Sequence, residues 1–314
     1  MIAILRKELT DYFTSIRVLV LFFLVILASA AALYAANQGI RDPSANIQGF
    51  VFLRLFTTSG GIVPSLTSFI ALFFIPLIGI ALGFDAINNE RTSGTLSRIL
   101  SQPVFRDSVI NGKFLAGIVT LTIMVVTTLL LVGGYGLSMI GVPPGSEEII
   151  RLFIYLIFTI IYGAFWMGLA ILFSILFRRI AASLLFSIAL WLFFSFFILM
   201  IAPALANVLA PAADGTEAAI IQNVAMQQTL LRFSPNALFG EATTVLLHPI
   251  LLETQMGLVG ALASGQAAYM LPNPLSLGQS LIIIWPHLTG LVGLSVICFA
   301  VSYLLFMKQE IRAT

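Results

Sequence analysis

The 314 residues carry 28 charges, 15 Lys or Arg and 13 Asp or Glu, so that 9% of the chain is charged and 60% is apolar. A water-soluble domain holds about 25% charged and about 45–50% apolar residues, which excludes a soluble fold of this size. The net charge of +2, without a long basic run, excludes nucleic acid as a partner, and the single cysteine, Cys298, excludes an intrachain disulfide framework.

Charge-free runs cover 18–40, 55–84, 114–146, 152–177, 180–213 and 254–307. Each exceeds the roughly 20 residues that cross a bilayer core. The fold class is therefore an all-α polytopic membrane protein, read as one transmembrane domain over 1–314.

Residues 1–17 place Ile2, Leu5, Leu9, Tyr12, Phe13 and Ile16 at three- and four-residue steps with Arg6, Lys7 and Asp11 between them, the pattern of an amphipathic interfacial helix. Spans follow at about 18–36, 64–84, 114–140, 152–177, 180–203 and 280–307. Pro76 lies mid-span in the second and predicts a kink. Two adjacent arginines inside the bilayer would cost about 5–7 kcal/mol, so Arg178 and Arg179 mark a tight turn between the fourth and fifth spans. The 204–279 segment remains as one long outer loop. In it Asp214 with Glu217 predicts a capping box, Ser234 an N-cap, and Pro235 a first helical residue. The runs 237–247 and 256–263 are too short to span and apolar enough to dip into the outer leaflet.

Eleven of the 15 basic residues fall on one side of these spans and four on the other. The positive-inside rule then predicts a multi-pass protein of a prokaryotic plasma membrane with both termini, the 85–113 loop and the Arg178-Arg179 turn in the cytoplasm.

Catalytic motifs are missing. Gly112-Lys113 is followed by Phe114, and Asp107 stands where a phosphate-binding loop needs its first glycine. His248 and His287 have no metal-ligand spacing and read as helix-end or interfacial residues, with no metal expected. Of the ionisable groups, only His287 falls inside the six spans, which disfavours a proton relay. The chain is not expected to be an enzyme.

The informative stretch follows the second span: Asp85, then Glu90-Arg91-Thr92-Ser93-Gly94-Thr95-Leu96, Ile99, Leu100, Pro103, Arg106 and Gly112-Lys113. Leu96, Ile99 and Leu100 share one face of a short helix at 92–102, with Thr92 or Ser93 to cap it and Pro103 to end it. Taken alone, such a helix is either a docking element or an interfacial helix whose basic residues meet anionic lipid.

With these residues the chain resembles the ABC-2 type permeases, the membrane subunits of ATP-driven exporters, including the subgroup that contains the nitrous-oxide-reductase maturation permease and multidrug exporter permeases. The Arg6-Lys7-Glu8-Leu9 helix, the six spans and the Ser234-Pro235 and Leu238-Phe239 run extend the resemblance over most of the chain. It implies a homodimer served by two ATPase subunits that hold the ATP and Mg, with no cofactor on this chain. It also implies ATPase coupling through Asp85, Glu90, Arg91, Gly94, Thr95, Leu96, Ile99, Leu100, Pro103 and Arg106, and a substrate path among the first, second and fifth spans. Ser183, Ser187 and Ser195, with Trp191, form a ridge on the fifth span that either lines such a path or packs against a neighbouring helix. Two other functions fit the same sequence: an ATPase-linked module that transmits force to an extracytoplasmic protein with no molecule crossing, and an ion-coupled carrier.

Overall fold

The computed structural model describes residues 1–41, 50, 52–59, 63–95, 105–141, 143–212, 216–248 and 275–308. Six of its helices are long and apolar enough to cross a membrane, and among the described residues there is no strand. The helices are α1 (Ile2–Thr14), α2 (Ile16–Arg41), α3 (Arg54–Thr57), α4, α5 (Asn88–Thr92), α6 (Arg106–Ile140), α7 (Ser146–Leu176), α8, α9 (Glu217–Leu231), α10 (Pro235–Leu247) and α11 (Leu277–Lys308). Two are composite. α4 runs through Leu66–Phe69, a π-helical turn at Ile70–Phe74 and Ile75–Gly83, and α8 through Ile180–Leu192, a π-helical turn at Phe193–Phe197 and Ile198–Leu209.

α7 is the hub, packed against α4, α6, α8, α10 and α11. From Tyr162 to Ile171 every residue is buried, which leaves no lipid face over almost three turns. Close packing against α4 depends on Gly79 and Gly83. A Cβ at Gly79 would lie 2.8 Å from Trp166 Cβ, and one at Gly83 would lie 2.6 Å from the Met167 carbonyl oxygen. The small-residue motif of the second span is thus a helix contact.

The kink expected at Pro76 is present as a register change. Ile75 N–H reaches back five residues to Ile70 O, and Pro76 has no N–H for the carbonyl of Leu72. Side chains from other helices take the freed carbonyls: the Tyr162 hydroxyl donates to Ala71 O at 2.8 Å, and the Trp191 indole N–H donates to Leu72 O at 2.9 Å. The π turn of α8 is treated likewise. Ile198 N–H bonds Phe193 O, and the Ser234 hydroxyl donates to Phe194 O at 3.0 Å.

Ser234 therefore occupies the N-cap position of α10 without capping it, since its hydroxyl is spent on α8. Pro235 is the first helical residue, as the sequence predicts. The start of α9 differs from expectation: Thr216 is the N-cap and accepts from Ala219 N–H, while Asp214 lies outside the described residues, as does the 256–263 run. α10 begins beside Phe194 and Tyr162, midway along α8 and α7, and ends beside Arg151 at the first turn of α7. It is a half-span inside the bundle, more deeply set than an interfacial helix.

Candidate functional site

At the end of the bundle opposite the close of α10, four helices and the turn after α4 bring charge together. α5 has no side-chain cap of its own. Instead Ser174, in the last turn of α7, accepts from Ile87 N–H at 2.9 Å and Asn88 N–H at 3.1 Å. This borrowed cap sets Glu90 inward, 7% exposed, where its Oε1 meets Lys113 Nζ of α6 at 3.0 Å and Lys7 Nζ of α1 at 3.2 Å. Glu8 of α1 completes a square: its Oε1 is 2.9 Å from Lys113 Nζ and 2.9 Å from Lys7 Nζ. Lys113 is 3% exposed, and a lone buried ammonium would be severely destabilising, so the two carboxylates offset the cost of burying this side chain.

α1 is amphipathic, but it turns one of its charges inward. Glu8 is its buried residue, whereas Ile2 and Phe13 are exposed. Burial alone would raise the Glu8 carboxyl; Lys113 and Lys7 reverse that and hold it below the usual carboxylate range. Burial likewise disfavours the Lys7 ammonium, and Glu8 and Glu90 more than compensate, lifting it above the usual lysine range. Two further bonds fix α1 and the start of α2 to the end of the second span. Tyr12 donates its hydroxyl to Leu82 O at 2.9 Å, and Arg17 Nη1 meets Asp85 Oδ2 at 2.7 Å with its guanidinium over the Phe84 ring. Between these groups lies a cleft of about 370 Å³ lined by Lys7, Tyr12, Arg17, Asp85, Glu90 and Lys113, among others.

The remaining residues of the predicted coupling segment are distributed as follows. Arg91 is half-buried beside Arg178. Gly94 takes φ +71°, a conformation that favours glycine, and so turns the chain at the close of α5. Thr95 donates to Glu90 O at 3.3 Å. Arg106 starts α6, eight residues before the third span drawn from the sequence. Thr92 and Ser93, expected to cap a following helix, bond backward to the carbonyls of Asn88 and Asn89. Leu96, Ile99, Leu100 and Pro103 lie outside the described residues. The structure thus joins Glu90 to residues given no role above: Lys7 of the N-terminal motif and Lys113 directly, and Glu8 through those two lysines. The signal available for them was their place in the same family pattern.

Ser183, Ser187, Trp191 and Ser195 are all buried and face other helices of the same chain. Ser187 bonds Ser183 O at 2.8 Å, Trp191 reaches α4, and Ser195 Oγ lies 2.6 Å from the Asn236 amide. Asn236 also contacts the Tyr162 hydroxyl. That hydroxyl has one proton and the Ala71 carbonyl can only accept it, so the network assigns the Asn236 NH₂ to Tyr162 and its carbonyl to Ser195.

His287 is not at a helix end or interface, as its sequence position suggested. It is 3% exposed, well inside α11, with Nε2 2.8 Å from Glu241 Oε2, which also accepts from Arg232 Nε at 2.9 Å. The folding of α10 back into the bundle brings this carboxylate to it.

The family model described as ABC-2 family transporter protein matches residues 2–311. The chain belongs to the ABC-2 transporter family. Two curated relatives are probable ABC transporter permease proteins NosY: that of Pseudomonas aeruginosa is 34% identical over 132 residues, 41% of this chain and 42% of the relative. That of Stutzerimonas stutzeri is 34% identical over 113 residues, 35% and 36% of the respective chains. The matched stretches thus span less than half of either relative. As an ABC-2 protein with six helices of membrane-spanning length, the chain is a multi-pass membrane subunit of an ABC transporter.

Proposed function

We propose that this ABC-2 permease is an exporter half-transporter. Two copies pair in the membrane, and two separate ATPase subunits, which hold ATP and Mg²⁺, engage the segment from Asp85 to Arg106 on the cytoplasmic side. The observation that carries the reading is the burial of Glu90 between Lys113 and Lys7. It makes the docking segment one body with α1 and α6, so that force applied there reaches the spans.

The test is reconstitution with a candidate ABC ATPase subunit. Glu90→Gln and Leu96→Ala should leave membrane insertion intact while ATP hydrolysis loses its dependence on substrate. Transport of substrate by the permease alone, without any ATPase, would overturn the reading.

A second reading, force passed to an outer partner with no molecule crossing, is favoured by the Arg151 clasp. The buried guanidinium binds Leu246 O, Leu275 O, Ser280 and Glu147 and ties both flanks of the 249–274 segment to α7. Deleting that segment separates the two: lost partner binding, in a complex that hydrolyses ATP and moves no substrate, selects force transmission. An ion-coupled carrier would need His287, and full ATP-driven activity in His287→Ala removes it.

A further inference from the structure

The end of the bundle that carries α5 also carries a group of cations that the ion square does not use. Arg178 and Arg179 form the turn between α7 and α8. Both are exposed, and neither has a carboxylate within ion-pair distance among the described residues. The Ser174 bond to Asn88 N–H sets this turn beside the start of α5.

Immediately on the membrane side, the surface is apolar and uncovered. Leu176 is 52% exposed, Leu185 65% and Phe186 52%. The hairpin beneath them is stiff, because the Phe177 and Phe186 rings stack at 4.4 Å and hold the ends of α7 and α8 together. Guanidinium groups above exposed apolar side chains, on a fixed turn at the end of two spans, match an amphiphile with a phosphate head and acyl tails. An acidic protein segment would match the arginines and leave the apolar flank uncovered.

We infer that the α7–α8 turn is a binding site for an anionic phospholipid, its phosphate held by Arg178 and Arg179 and its acyl chains laid against Leu176, Leu185 and Phe186. The lipid would shield these two like charges from one another. The site rests on the proposed sidedness only for which leaflet supplies the lipid.

The test uses the purified full chain without ATPase or substrate, so its outcome is independent of the export reading. Native mass spectrometry after delipidation, with phosphatidylglycerol or phosphatidylcholine vesicles as the source, should find phosphatidylglycerol retained in preference. Arg178→Gln with Arg179→Gln should weaken that retention by roughly thirty-fold, from about 1 kcal/mol for each basic residue near an anionic surface. Arg178→Lys with Arg179→Lys should restore most of it. If the glutamine variant misfolds, the wild-type chain answers through salt: high ionic strength should release phosphatidylglycerol and leave phosphatidylcholine unaffected. Equal retention of the two lipids overturns the site. Competition by inorganic phosphate at equal concentration would make it a free-anion site and overturn the lipid assignment. So would unchanged lipid retention in the glutamine variant, whether or not ATPase capture falls.

Discussion

The indole of Trp191, on α8, donates its N–H to the carbonyl of Leu72, on α4, at 2.9 Å. That oxygen is the one Pro76 leaves without its helical donor. The second and fifth spans are therefore joined through a vacancy in one of them. Trp191→Phe keeps the ring and removes the donor, leaving a buried carbonyl unpaired at a cost of about 1–3 kcal/mol. In the Pro76→Ala background the backbone supplies its own donor, so the same replacement should cost much less. A double-mutant cycle on thermal midpoints reads the difference, and simple additivity would show that the two sites are not linked.

Lys113 holds two buried carboxylates, Glu8 and Glu90. Lys113→Met should destabilise by about 3–5 kcal/mol, the range for removing one partner of a buried pair. Adding Glu8→Gln should recover part of that loss, since one uncompensated charge goes with it. If the double variant is as unstable as the sum of the two single ones, the square is not the unit described above.

The pH dependence of the α1 attachment follows from two opposite shifts. The Glu8 carboxyl is lowered in the fold, so its contribution is complete above the unfolded value of about 4.3 and is lost as pH falls through the lower, folded value. The Lys7 ammonium is raised, so its contribution is complete below about 10.4 and is lost as pH rises through the higher, folded value. A spin label at Thr10 should keep constant mobility from about pH 5 to about pH 10 and loosen below that window before it loosens above. Mobility that changes between pH 6 and 8 would count against these two groups as the anchors.

Arg151 is fully buried and bonds two backbone carbonyls, at Leu246 and Leu275, besides Glu147 and Ser280. Arg151→Met should leave those carbonyls unsatisfied and free the end of α10. Hydrogen exchange at Val245 to Leu247 should rise by at least ten-fold, with exchange in α6 unchanged. Equal exchange in the two proteins would place the clasp elsewhere.

Much of the architecture was legible because bilayer physics is strict. Charge-free runs located the six spans, and the cost of burying Arg178 with Arg179 located the turn that separates Leu176 from Ile180. The π turns were not legible. Pro76 announces a defect, but the donors that heal it, Tyr162 and Trp191, are 91 and 119 residues from their acceptors, and no local pattern encodes such a pairing. The ion square is similar. Each of its charges lies outside the spans drawn from the sequence, where a solvated role is the ordinary one, and only the docking of α1 on α6 turns Glu8 toward Lys113. His287 was misplaced because the carboxylate that accompanies it arrives from a segment assigned to an outer loop.

α7 bears Ser174 at one end and Arg151 at the other, about 35 Å apart at 1.5 Å per residue. The first is bonded to the backbone at the start of α5, and the second to the backbone at both flanks of the 249–274 segment. The helix between them has no π turn, no proline and no glycine hinge free of neighbours. It is built as a connecting rod between two anchored ends, whereas α4 and α8 are each interrupted midway by a π turn.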